Sequence, residues 1–130
     1  MPLVKIYAPQ GVYERSRLEK VSQAVHRAFA KVLNAEADDF FKIVFEMPDA
    51  QLFHPPSFNG HFYSEEFILL EITAESRRSE ETYVTLLEEI NREVAAQAGI
   101  LPDDIAIVLY DIPHNYISFG GGIVGGGARQ

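Results

Sequence analysis

The sequence predicts an α/β fold in which two β-α-β units form one four-stranded sheet with two helices on one face. Two observations predict it. Short β-rich runs alternate with two long stretches whose apolar residues recur at intervals of three and four, and this strand-helix-strand order is read twice along the chain. The length, 130 residues, suits one domain spanning residues 1–130, enough to bury roughly two-thirds of the surface of the extended chain.

The first strand is Leu3-Val4-Lys5-Ile6-Tyr7, an apolar run ended by Pro9 and Gly11. From Glu14 to about Ala35, the residues Leu18, Val21, Val25, Phe29 and Val32 make one apolar helix face, with His26 at its edge as a partly buried structural histidine. Phe40 to Met47 reads as the second strand, stopped by Pro48-Asp49. Residues 49 to 63 hold His54-Pro55-Pro56 and Asn59-Gly60, and these turn signals predict a long connection without a regular element. Phe67 to Thr73 is the third strand. Ser79 is the expected N-cap of the second helix, with Glu80 and Glu81 in its first turn, where the helix dipole favours carboxylates. Its apolar stripe is Tyr83, Leu86, Leu87, Ile90 and Val94, and Gly99 is its C-cap. Ile105 to Tyr110 is the fourth strand. With both helices on one side, the opposite sheet face is expected to be covered by oligomerisation. The tail from Ile117, apolar pairs between glycine triplets, is expected to pair as a short strand with a neighbouring subunit.

Composition narrows the function. Hydrophobic residues at 47% and charged residues at 23% describe a folded globular chain rather than a disordered one. A net charge of -8 disfavours nucleic-acid backbones and anionic membrane surfaces as partners. The absence of cysteine removes disulfides, thiolate nucleophiles and zinc-cysteine sites, and fits a reducing compartment. His26, His54, His61 and His114 match no metal-ligand spacing, so no metal is expected. The glycine triplets lack the lysine and the strand-to-helix setting of a phosphate loop, and no cofactor is expected. The start MPLVKIYAP has no secretory layout, and no apolar run approaches the roughly 18 residues of a membrane span, so the cytoplasm is the expected location.

Pro2 follows an initiator methionine, and removal of Met1 leaves a secondary amine at the start of a strand. An α-amino group ordinarily titrates at about 7.7 to 8.0, a secondary one somewhat higher, and burial or a nearby cation moves it down. Neutral, it is a general base for a proton next to a carbonyl; cationic, it is a general acid or an electrostatic anchor. Apart from the pair Arg77-Arg78 the lysines and arginines are scattered, so an anionic ligand should be small and held at one point.

Met-Pro-Leu-Val-Lys-Ile at the start, Arg78-Ser79-Glu80-Glu81 opening the second helix, Gly99-Ile-Leu-Pro-Asp-Asp104 before the fourth strand and Ile117-Ser-Phe-Gly120 near the end resemble the tautomerase superfamily, in its malonate semialdehyde decarboxylase branch. The resemblance covers nearly the whole chain and implies a homotrimer of such subunits, each with a pocket around its N-terminal proline. It implies Pro2 as the catalytic proline. It implies Asp38 as the carboxylate partner when the chains are matched from the proline without gaps, or Asp39 after a shift of one residue. Arg78 is implied as the grip on a substrate carboxylate, which a guanidinium meets in a bidentate way. Arg77 stands next to it where the decarboxylase pattern spaces its two arginines by one residue, with Ser76 in the first place. Tyr116, Ile117 and Phe119 are implied as pocket wall, and Ser118 replaces the glutamate by which related dehalogenases activate water. The expected function is keto-enol tautomerisation of small 2-oxo acids or their enols. Decarboxylase or hydratase activity of the malonate semialdehyde type is the alternative, and a non-enzymatic trimeric binding module is the second alternative.

Overall fold

The computed structural model describes residues 2–75 and 77–124. In chain order the elements are β1 (Leu3–Pro9), α1 (Arg15–Leu33), β2 (Phe41–Met47), β3 (Ser57–Phe58), β4 (His61–Phe62), β5 (Ile68–Glu75), α2 (Glu80–Ala98) and β6 (Ile105–Ile112). The four long strands form one sheet in the order β2-β1-β5-β6. β1 runs parallel to β2 and β5 parallel to β6, while β1 and β5 meet antiparallel in the middle. The two expected β-α-β units are therefore joined through their first strands.

The period of two in β1 and β5 decides which side holds the core. Val4, Ile6 and Ala8 and, beside them, Ile68, Leu70, Ile72 and Ala74 are buried. They pack against Leu18, Val21, Val25 and Phe29 of α1 and Tyr83, Leu86, Ile90 and Val94 of α2, so both helices lie on that face. Ser79 caps α2 as expected, its Oγ accepting from Thr82 N at 3.1 Å, and Gly99 ends the helix at φ 65° in the left-handed region. Buried Glu89 of α2 accepts from Lys31 of α1 at 2.8 Å and pairs with Arg92, which gives the buried carboxylate its counter-ions. Arg17 ties the start of α1 to the end of α2, donating to Ala98 O and Gly99 O at 2.8 Å each and gripping both oxygens of Glu66.

The opposite sheet face carries no helix. Tyr7 and Tyr110 both donate to Glu71 there, at 2.8 and 2.9 Å, and hold its carboxyl below the ordinary range. Phe41, Ile43, Phe45 and Val108 stay exposed on this side.

One expectation is corrected. The connection from 49 to 63 contains a regular element, the β3-β4 hairpin, because Asn59 (φ 50°) and Gly60 (φ 83°) take the paired left-handed conformations of a two-residue hairpin turn. The hairpin is pinned by the turn before β6: Asp103 accepts from Phe62 N at 3.0 Å and meets His61 Nδ1 at 2.9 Å. Fully buried Asp104 accepts from Ser64 N at 2.7 Å and from Ser64 Oγ at 2.6 Å. Within the single chain, the tail folds back on itself as far as it is described. Ser118 bridges Val124 across a turn at Gly120-Gly122, and residues 125–130 lie outside the described residues. β1 also runs past its expected end to Pro9, which is tolerated because the ladder to β5 stops at Tyr7 and leaves the proline one strand neighbour, Met47 of β2.

Candidate active site

The antiparallel pairing of β1 with β5 sets Leu3 opposite Thr73, so Pro2 lies beside the last residues of β5. On its other side Pro2 O accepts from Phe41 N at 3.1 Å, which fixes the proline to the first residue of β2. Above it ends α1, whose C-cap Asn34 adopts the left-handed conformation (φ 59°, ψ 33°) that asparagine tolerates better than most residues. The chain then turns through Glu36 to Asp39, Asp39 N donating to Glu36 O at 3.0 Å.

These segments enclose a cavity of about 200 Å³. Buried Pro2 lies at it, with Phe29 and Leu33 of α1 as apolar wall and Asn34, Asp39, Glu75, Arg77 and Arg78 as polar wall. Arg77 Nε lies 3.8 Å from Glu75 Oε1. The arginine-bearing segment is set by its backbone: Arg77 N donates to Glu75 O at 2.8 Å, and the same carbonyl accepts from Tyr83 OH at 2.8 Å. Burial, followed by the Asp111 carboxylate 3.1 Å away, pushes the Tyr83 phenol above its ordinary pKa, so it remains a donor.

The structure thus brings Pro2, Arg77 and Arg78 together. Of the two aspartates, Asp39 lines the cavity, while Asp38 is exposed in the turn before it. Tyr116, Ile117 and Phe119 lie outside the cavity of the single chain. Tyr116 is 76% exposed in the turn after β6, and Phe119 stacks on Phe41 with ring centroids 5.4 Å apart. Ser76 and Met1 lie outside the described residues. Sequence reasoning missed Asn34, Phe29 and Glu75 as lining. An asparagine right after a helical stripe is a readable C-cap signal, but nothing in the sequence places Glu75 beside Pro2 until β1 and β5 are known to pair.

A proline at the start of the first strand with arginines at the mouth of the second helix invites comparison with known families. A family model described as tautomerase enzyme matches residues 39–120, and another of the same description matches residues 2–55. The chain belongs to the tautomerase family. Among solved structures, a malonate semialdehyde decarboxylase superposes on it with a TM-score of 0.81 at 22% identity, covering 92% of each chain. A malonate semialdehyde decarboxylase inhibited by 3-bromopropiolate gives 0.82 at 22% identity, over 92% of this chain and 90% of that one. A fused 4-OT symmetric trimer gives 0.79 at 20% identity, over 98% and 99%. At these identities the likeness is one of fold. No curated protein matches the chain. Among the described residues of this tautomerase-family fold, no helix is long and apolar enough to cross a membrane.

Proposed function

We propose that this chain is an enzyme that moves protons on small 2-oxo acids or their enols, with the secondary amine of Pro2 as the acid-base group after loss of Met1. The observation that carries the reading is the sharing of one small cavity by buried Pro2, two arginines and two carboxylates. Burial of Pro2 disfavours the cationic form of its amine, and a neutral secondary amine is a general base. Arg78 holds the substrate carboxylate, so that the enol oxygen and the adjacent carbon come within reach of the Pro2 nitrogen. Pro2 takes the enol proton and returns a proton to carbon, giving the keto acid. The helix-free sheet face, with Phe41, Ile43 and Phe45 exposed, supports assembly as a homotrimer, as in the fused 4-OT trimer. The whole chain acts as one domain, and the cytoplasm is its proposed place.

A decarboxylase or hydratase reading is favoured by one observation, the presence of a carboxylate, Asp39, in the cavity with Pro2. Cationic Pro2 would then polarise the carbonyl of a 3-oxo acid while Asp39 orients it. The bond to the carboxylate breaks, carbon dioxide leaves, and its electron pair passes into an enol that is protonated on carbon.

Ketonisation of phenylenolpyruvate by protein whose intact mass shows Met1 removed tests the tautomerase reading. An accelerated rate is expected, and no acceleration overturns it. In decarboxylation of a 3-oxo acid, Asp39→Asn is expected to lower kcat about tenfold or more, within the range of a positioned polar group, and Asp38→Asn to change it less than about twofold. The opposite order would return the role to Asp38.

A further inference from the structure

We propose that Glu75 is a specificity-determining residue that restricts the Pro2 cavity to substrates carrying a single negative charge. The inference rests on the functional reading of that cavity and adds the charge class of its ligand.

The lining carries two cations, Arg77 and Arg78, and two carboxylates, Asp39 and Glu75. Two unengaged positive charges would suit a dicarboxylate, but here Arg77 faces Glu75 at 3.8 Å. Glu75 is the better placed of the two acids to discriminate. Its side chain is 18% exposed, against 58% for the Arg77 it faces at 3.8 Å. The carbonyl of Glu75 is held at once by Arg77 N and Tyr83 OH, so its backbone is fixed where β5 ends at the cavity. Arg77 is thereby engaged by an acid of its own chain. Arg78, among the described residues, forms no ion pair and is left to receive a ligand carboxylate.

One ligand carboxylate on Arg78 engages the arginine that Glu75 does not. A second one, on a ligand confined to about 200 Å³, is brought toward the Glu75 carboxylate and finds no second unengaged arginine. Like charges held close together at a protein surface repel more strongly than the same charges in bulk water. Selectivity thus comes from a repulsive element against the wrong ligand rather than from an added contact to the right one.

Crotonate and fumarate test this, because they share a four-carbon trans-alkene skeleton and differ by a methyl group against a second carboxylate. Binding is followed by amide chemical shifts in Met1-free protein, a readout that needs no turnover. Wild type is expected to bind crotonate at least about tenfold more tightly than fumarate. Glu75→Gln keeps the shape and removes the charge. It is expected to tighten fumarate about tenfold while moving crotonate less than about threefold. Glu65→Gln, an exposed change of the same net charge away from this cavity, is expected to leave the ratio as in wild type. A crotonate-to-fumarate ratio that Glu75→Gln leaves unchanged, in protein active on phenylenolpyruvate, overturns the role of Glu75 alone. Shifts from neither anion around Arg78, in folded and Met1-free wild type, overturn the cavity reading and this inference together.

Discussion

Replacing Pro2 by alanine in protein freed of Met1 is expected to slow phenylenolpyruvate ketonisation about a hundredfold, while the chain stays folded. Positioned acid-base groups contribute roughly a hundredfold to ten-thousandfold to a rate. The lower end applies here, because alanine at position 2 still ends in an amine. What it loses is the ring, which holds the nitrogen and its lone pair in a fixed direction from Cα, and the higher basicity of a secondary amine. The fold should be indifferent, since the contact from Phe41 N to the carbonyl of residue 2 is a backbone bond that alanine keeps. Circular dichroism and the thermal midpoint check that second half. A variant as active as wild type would remove Pro2 from the chemistry, and a variant that fails to fold is distinguished by its spectrum.

Phe29→Ala is expected to cost about 3–5 kcal/mol of folding stability, read as a lower urea midpoint with an unchanged slope. Phe29 is 1% exposed and packs in the core beneath the sheet-helix contact, yet it also lines the Pro2 cavity. Its truncation therefore joins a new void to an existing cavity, and the remaining structure has little to collapse with. Phe29→Leu keeps most of the volume and is expected to cost less than about 1.5 kcal/mol, which separates lost packing from any effect on the site. Equal stability of the alanine variant would show that this wall is not part of the core.

Both predictions depend on features that were readable in the sequence to different degrees. Helix α2 was legible from end to end, because Ser79, Tyr83-Leu86-Ile90-Val94 and Gly99 each state a local rule that tertiary packing does not override. Pro2, Arg77 and Arg78 were legible as candidates, since a proline after the initiator methionine and a pair of adjacent arginines need no fold to be noticed. The β3-β4 hairpin was not. Two-residue strands carry no periodicity, and their stability comes from Asp103 and Asp104 some forty positions further on. The choice between Asp38 and Asp39 rests on how the chain turns after Asn34, which a gapless count from Pro2 does not capture. Glu75 reads locally as the polar end of a strand, and it acquires a place beside Pro2 through the antiparallel β1-β5 pairing. Tyr116, Ile117 and Phe119 depend on the path taken after β6, which in the single chain leads Phe119 onto Phe41.

The claim at the centre is that a free Pro2 nitrogen does the work, and retention of Met1 is the smallest change that removes it, turning the amine into an amide. The decisive measurement is the phenylenolpyruvate ketonisation rate of preparations whose intact mass gives different fractions of Met1-free chain. The rate is predicted to rise in proportion to the Met1-free fraction and to extrapolate to the uncatalysed value when Met1 is fully retained. Equal rates at every fraction, or none in fully processed protein, would contradict catalysis by Pro2.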